Sequence, residues 1–501
     1  MKVDAHYDLL IVGGGITGAA VLHAASARGL RALLVDRGDF ASGTSSWSSK
    51  LIHGGLRYLQ SGQWRMTLES VRERERLLVE RPGLVEPQAF LMPIFAGGRP
   101  GPAALSAAFW IADRMAGRRT SRRIGAAEAV AIEPLLAPDK LRAAIVYRDG
   151  VVDDARLVLR LVFDAVARGA HALNHVEATL VEEGGRVTGA RLDDRIDGGE
   201  PRYVRATVTV HAAGVWAGAA PGAPLLRPLR GSHLVFAHSA LPLHCALAWL
   251  HPRDRRPVFA HPWEGAVVVG TTDIDHPVAD APAMISAAEA AYLVEALQAL
   301  FPRIAIDASM ALSTYAGLRA IVVAPGEENR PPSAMGRDSA LWARPGLVGI
   351  TGGKLTTHRA TAFEVLRLVE KQGLRIGAPK ASAPPTPATT RLQGRLGAEG
   401  AAWVAARPAP EQQPLLGTPY TLAELRWSMQ AERVRRLGDL LMRRTRLGLV
   451  APGGAIESLP MLEAPCREGL GWSAARWADE AARYREDWAL RHAPPAENRR
   501  S

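Results

Sequence analysis

Near the start of this 501-residue chain, Gly13-Gly14-Gly15-Ile16-Thr17-Gly18 fits the spacing G-x-G-x-x-G. In that pattern Gly13 makes a tight turn and Gly15 lets the backbone approach a pyrophosphate. Gly18 lets a helix pack on its strand, and the helix N-terminus faces the phosphate charge. Asp36 stands where a carboxylate would bind ribose hydroxyls, at the end of the next apolar run. In a chain with 48 glycines such a pattern alone is weak. Here strand, turn, helix, strand and terminal acid coincide, and dinucleotide binding is preferred to an ordinary turn.

A second stretch, Gly43 to Leu59, gathers Thr44, Ser45, Ser46, Ser48, Ser49, Lys50, His53, Gly54, Gly55 and Arg57. Hydroxyls and backbone amides suit pyrophosphate and flavin contacts, glycines permit close approach to a ring, and Arg57 can fork onto an anion. The plain alternative is a solvated serine-rich loop. A third stretch is Gly352-Gly353-Lys354-Leu355-Thr356. Only six of the 61 basic residues are lysine, so Lys354 stands out inside its glycine turn. With Ala213-Gly214-Val215-Trp216, this late return to the nucleotide region suits a long flavin cofactor, and FAD is expected rather than NAD.

The elements that must position these residues follow from hydrophobic periodicity. Tyr7–Val12 and Ala32–Val35 read as buried strands, and Ile16–Arg28 as the helix between them. Further helices are expected at Ala103–Met115, Asp153–Ala167, Ala287–Ala299, Thr356–Glu370 and Leu422–Leu447. Strands are expected over His171–Leu192 with a turn at Gly184-Gly185, and at Val204–His211, Val258–Thr272 (turning at Trp263-Glu264-Gly265) and Val348–Thr351. The proline-rich segment 378–390 reads as a linker. It separates a unit over 1–377 from a helical one over 391–501.

Composition narrows the function classes. Cys245 and Cys466 are the only cysteines, which excludes a disulfide scaffold and a cysteine metal site; a reducing, cytoplasmic setting and no metal are expected. No apolar run approaches the ~18 residues of a membrane span. The N-terminus lacks a signal-peptide pattern, so none is expected. The net charge of +11 comes with no nucleic-acid-binding pattern, and no nucleic-acid partner is expected.

The segment TSSWSSKLIHGGLRYL closely resembles the flavin-binding stretch of FAD-dependent (aerobic) glycerol-3-phosphate dehydrogenases. Other motifs follow in the same order: Val152 to Leu157, Gly231-Ser232-His233, Pro262-Trp263, Gly270-Thr271-Thr272-Asp273, Thr314 to Arg319, Arg337-Asp338 and Gly352 to Thr357. The resemblance covers about 7–370 well and Arg433–Gly448 more loosely. It implies an α/β (α+β) fold: a Rossmann-type FAD-binding domain interwoven with an antiparallel-sheet substrate domain (roughly 80–150 and 225–315), as in D-amino-acid oxidases, plus a C-terminal helical cap. It implies oxidation of glycerol 3-phosphate, or a related polyol phosphate, to dihydroxyacetone phosphate, with electrons passing to a quinone. Arg57, Tyr58, His233, Arg319, Arg337 and Lys354 fall on substrate-facing positions. A phosphate clamp of Arg57 and Arg337 helped by Tyr58 is expected. Arg319 and Lys354 would hold the carbinol oxygen, His233 (or, second, His53) would act as the base, and Thr272 would bond substrate. Cofactor contact is expected from Gly13, Gly15, Ile16, Thr17, Gly18, Asp36, Arg37, Thr44, Ser45, Ser46, Lys50, Leu51, His53, Gly54, Gly55, Val176, Ala213, Gly214, Trp216, Gly352, Gly353, Lys354, Leu355 and Thr356.

One departure is Ala320, where the family commonly has proline. The helix Ala103–Met115, with Phe109, Trp110 and Ile111 beside arginines, reads either as membrane-interfacial or as a buried helix. A quinone acceptor tips the expectation towards peripheral contact with the cytoplasmic face of the inner membrane. The Arg-rich stretch near 433–446 is expected to keep its charges solvated, and a homodimer is left open. The rival readings are an O₂-using oxidase of a polyol phosphate or an amine, and a non-catalytic FAD-binding module.

Overall fold

The computed structural model describes residues 3–55, 64–98, 101–324, 326, 335, 339–379, 388 and 390–495. Arg57, Tyr58, Arg337 and most of the expected linker lie outside the described residues.

The strand His6–Val12 is central to an eight-stranded sheet. It pairs in parallel with Ala32–Val35 on one side and Arg202–His211 on the other. Leu9, Leu10 and Ile11 are fully buried. Such a continuous apolar run, with no alternation, is what a parallel strand covered on both faces requires. Helices Ile16–Ser26, Asp154–Ala167 and His358–Lys371 cover one face. The hairpin Val176–Glu183/Arg186–Asp194 packs on the other.

Between visits to this sheet the chain builds a second, ten-stranded one, mostly antiparallel. Its strands include Leu51–Ile52, Val85–Phe95, Leu141–Val152, Leu226–Ala237, Pro257–Trp263, Ala266–Gly270 and Ala311–Val322. Helix Ala287–Leu300 packs into the core on one face of this sheet, and Phe109 of helix Pro102–Ala116 packs into a separate core. Leu51–Ile52 directly follows the hydroxyl-rich loop, so the loop bridges the two sheets. Among the described residues no helix is long and apolar enough to cross a membrane.

The expected single helix Leu422–Leu447 is broken. It divides into Leu422–Ala431, Leu437–Asp439, a π-helical turn Leu440–Arg444 and Leu447–Val450, with Arg433 at φ +51°. The cause is electrostatic, and it overturns the expectation of solvated arginines: Arg444 and Arg446 turn inward and are fully buried. Arg446 pairs with Asp153 at 2.7 Å and Asp154 at 2.5 Å, and Arg395 reaches Asp153 at 3.0 Å. Arg156 meets Glu432 at 2.7 Å, and Arg444 meets Asp39. Asp153 also caps helix Asp154–Ala167 through the amide of Arg156. Burial alone would raise the Asp153 carboxyl, but Arg446 and Arg395 hold it well below the ordinary range. This buried lattice ties the C-terminal helices to the helix beneath the hydroxyl-rich loop.

Candidate functional site

The glycine turn is sterically obligatory. Gly13 has φ +111°, and a Cβ there would sit 2.4 Å from the Ala212 carbonyl oxygen. A Cβ on Gly18 would sit 1.9 Å from the Gly13 oxygen, so only glycine lets the helix seat this close. Gly18 is therefore a packing residue and does not reach the cavity wall. The Asp36 carboxylate accepts the amides of Gly14 at 2.6 Å and Gly38 at 2.8 Å. Burial raises its pKa, while those two amides oppose the rise.

The turn opens into a cavity of about 1640 Å³ between the two sheets, well beyond the roughly 300–1,000 Å³ of an ordinary small-molecule site. Of the expected cofactor residues, the wall carries Gly13, Gly15, Ile16, Thr17, Asp36, Arg37, Thr44, Ser45, Leu51, His53 and Gly55. Val176, Ala213, Gly214, Trp216 and Gly352 through Thr356 complete it from distant parts of the chain. Two polar atoms of wall residues, Trp216 Nε1 and His211 Nδ1, are buried and have no partner among the described residues. Unmet donors and acceptors on a wall of hydroxyls, glycines and a helix N-terminus fit a long dinucleotide such as FAD.

Three further members of that expectation are placed behind the wall. Ser46 is fully buried. The Gly54 amide is spent on Asp149 at 3.1 Å, and a Cβ there would strike the Arg74 guanidinium. Lys50 is fully buried under the loop, paired with Asp154 at 2.9 Å and bonded to the Ser46 carbonyl. Its ammonium lies 4.7 Å from the Tyr315 ring centroid and 5.3 Å from that of Trp263. Burial lowers its pKa to about 8 against the pull of Asp154. Lys50 therefore anchors the loop to Asp154, the same carboxylate that holds Arg446.

The substrate-facing expectations divide similarly. Arg319, Lys354, His53 and Thr272 line the cavity. The Thr272 hydroxyl, however, is engaged twice, donating to Glu289 at 2.7 Å and accepting the Ser232 amide at 2.9 Å. His233 is not on the wall. Its ring is stacked on Tyr315 at 4.5 Å, and a Cβ on Gly270 would lie 2.1 Å from its Cδ2. Its Nε2 meets Ser49 Oγ at 2.9 Å, and it is Ser49 that faces the cavity. Burial, then Arg319, depresses its pKa well below the ordinary value. The ring therefore stands one residue behind the wall, with Nδ1 buried and unpartnered among the described residues, and meets the cavity only through Ser49, where direct contact with substrate was expected. Ala320 keeps regular register opposite Pro228, so its departure from proline leaves Arg319 aimed into the cavity.

Arg319 lies on the strand Ala311–Val322, which is sewn to the hydroxyl-rich loop. Thr44 Oγ1 donates to the Leu318 carbonyl, Tyr315 donates to the Ser48 carbonyl at 2.9 Å, and a Cβ on Gly317 would lie 2.5 Å from the Trp47 carbonyl oxygen. Sequence reasoning missed Ser49, Arg256 and Asp273 as wall residues. Asp273 had a signal, since it ends the motif Gly270 to Asp273; Arg256 had none among 55 arginines. Among the described residues Asp39, His175 and Asp439 cluster as metal ligands might, but Arg443 bridges the two carboxylates, Arg444 joins Asp39, and the group is an ion-pair knot.

A family described as FAD dependent oxidoreductase matches residues 8–364, and one described as the C-terminal domain of alpha-glycerophosphate oxidase matches 386–477. The chain belongs to the FAD-dependent oxidoreductase family. An aerobic glycerol-3-phosphate dehydrogenase of Staphylococcus epidermidis is 35% identical over 381 residues, 74% of this chain and 68% of the relative. One of Staphylococcus aureus is 34% identical over 378 residues, 73% and 67%. The crystal structure of the glycerol-3-phosphate dehydrogenase from Bacillus halodurans complexed with FAD is 25% identical, covers 97% of this chain and 95% of that one, and has a TM-score of 0.76. In a family defined by FAD, the cavity described above is the place whose donors fit it.

Proposed function

We propose that this oxidoreductase converts sn-glycerol 3-phosphate to dihydroxyacetone phosphate and passes the electrons to a quinone. One observation carries the reading: a dinucleotide turn and the cations Arg319, Arg256 and Lys354 line one cavity. The substrate is supported by the similarity to dehydrogenases of that name over two thirds of their length. FAD bound along the wall supplies a two-electron acceptor for the carbinol hydride.

The chain's own residues do the rest. The Ile16–Ser26 helix N-terminus and Asp36, both on the wall, would hold the pyrophosphate and the ribose hydroxyls. Arg57, Arg337 and Tyr58 complete a phosphate clamp. Arg319 and Lys354 hold the carbinol oxygen, and His53, on the wall, accepts its proton. The base role is given to His53 ahead of His233 because His53 lines the cavity, whereas His233 stands behind Ser49. For the acceptor, a peripheral seat on the cytoplasmic face of the inner membrane remains part of the proposal. Within helix Pro102–Ala116, Trp110 is 59% exposed beneath the Arg114 guanidinium. Phe109, expected to join it at the interface, instead packs inward on Tyr147 at 4.7 Å.

The test is an anaerobic titration of the FAD-loaded protein with sn-glycerol 3-phosphate, followed by flavin absorbance, then addition of a soluble quinone or of air. Bleaching with rapid recovery in quinone supports the proposal. Recovery faster in air makes the protein an oxidase, and a flavin that never bleaches removes the substrate assignment.

A further inference from the structure

Beyond His53 the cavity continues into an apolar arm. Its floor is one face of the ten-stranded sheet, where Met92, Tyr147 and Phe259 stand on three different strands. Leu105 and Phe109 of helix Pro102–Ala116 cover it. All five side chains belong to one packed cluster, so the arm is a continuous surface. Strand register fixes its place. Leu51 and Ile52, just before His53, pair with Val151 and Gly150, and Tyr147 lies on that same partner strand opposite Phe90.

Tyr147 is the polar feature of this arm. Phe90 stacks on its ring at 5.3 Å and Phe109 tilts onto it at 4.7 Å, so the ring is clamped. Its hydroxyl has no hydrogen-bond partner among the described residues, and the residue lines the cavity. Burial, then Asp149, raises its pKa well above the ordinary value against the pull of Arg74, so the phenol keeps its proton. Asp149, between Tyr147 and the His53 end, is already matched by Arg74 at 2.6 Å and by the Gly54 amide at 3.1 Å.

An apolar slot with a proton-bearing hydroxyl selects a neutral, flat molecule that carries a carbonyl oxygen. It disfavours a phosphate dianion, which would lose its hydration there against five side chains that offer no counter-charge. We propose that this arm is the seat of the quinone acceptor, with Tyr147 donating to a quinone carbonyl and the apolar side chains holding the ring. This rests on the quinone acceptor proposed above. The overall exchange balances: glycerol 3-phosphate gives up a hydride from carbon and a proton from the carbinol oxygen, and the quinone gains two electrons and two protons as the quinol. The covering helix also supplies an exit. Trp110, next to Phe109, is 59% exposed on the helix proposed to meet the membrane, and an isoprenoid tail would leave the arm on that side.

The experiment is a calorimetric titration of the FAD-loaded, oxidised protein with ubiquinone-1, for the wild type, Tyr147→Phe and Ala108→Phe. Tyr147→Phe removes the hydroxyl and keeps the ring. Ala108→Phe adds a ring to the wall from a half-buried position on the covering helix. Flavin content and thermal unfolding verify that each variant is folded. Tyr147→Phe is expected to bind ubiquinone-1 about fivefold more weakly, as for loss of one hydrogen bond. Ala108→Phe should weaken it more, by filling the slot. In turnover with glycerol 3-phosphate, both variants should lose rate with ubiquinone-1 relative to ferricyanide, a small hydrophilic acceptor that the arm does not hold. A wild type that binds no ubiquinone-1, or either variant binding it as tightly as wild type, would overturn the proposal while leaving the substrate reading untouched. Ubiquinone-1 held through Tyr147 in a protein whose flavin glycerol 3-phosphate does not bleach would instead fault the substrate reading and leave the acceptor seat standing.

Discussion

Asp153 and Asp273 each grip two arginines, and they differ in what surrounds the grip. At Asp153 the partners Arg395 and Arg446 are 2% and 0% exposed, and Asp154, Glu264 and Glu432 stand nearby to balance Arg446, Arg395 and Arg156. At Asp273 the guanidiniums reach a cavity. The same pair chemistry thus makes a dry joint in one place and part of a cavity wall in the other. Arginine counts or ion-pair counts do not separate the two; burial does.

The sharpest way to break this comparison is to remove the same charge from each. Asp153→Asn leaves Arg446 with Asp154 and Arg395 with Glu264 but upsets the buried charge balance, and is expected to cost about 3 kcal/mol in urea unfolding. Asp273→Asn, whose partners water can reach, is expected to cost about 1 kcal/mol or less. Equal losses would erase the distinction.

Acid should weaken the dry interior next. His261, His358 and His492 are buried, and burial lowers each pKa to about 4. In the unfolded chain each takes up its proton near pH 6.5, in the folded chain only near 4. The unfolded state thus binds more protons in between, so stability is full above about 6.5 and falls as pH drops through that window. Each histidine accounts for about 2 kcal/mol at pH 5. Glu432 and Asp153, with folded pKa values depressed, add their loss only below the ordinary carboxylate range. Thermal unfolding at pH 7 and 5 checks this; an unchanged midpoint would mean the histidines are solvated.

Salt gives the mildest contrast. Raising ionic strength from about 0.05 to 0.5 M should raise KM for glycerol 3-phosphate a few-fold while leaving the urea midpoint nearly unmoved, because screening reaches the open cavity and not the buried pairs.

Much of the cofactor end was legible in sequence. Gly13, Gly18 and Asp36 are dictated by local sterics and hydrogen bonding, which spacing records. So is the helix between Gly13 and Asp36, expected over Ile16–Arg28 and found at Ile16–Ser26. The substrate end was less so. Arg256 and Arg319 are 63 positions apart and meet only because a turn before the strand Pro257–Trp263 and the strand Ala311–Val322 carry them to one carboxylate. His233 and Ser49 were both visible, but which of them faces the cavity is a matter of packing against Tyr315 and Gly270. Around 433–446 the arginine-rich pattern read as one solvated helix. Its partners Asp39, Asp153 and Asp154 lie some three to four hundred residues away, and they bend it.

Position 317 sets a rule for anyone who would redesign this enzyme. Because the strand bearing Arg319 rests on the Trp47 carbonyl with no room for a methyl group, the two ligand seats share a hinge pin. A library that randomises the strand to change substrate preference must keep Gly317 fixed, or its variants will first be lost as apoprotein. Flavin colour then becomes a cheap first sieve, since a yellow colony reports that the strand bearing Arg319 still has its footing.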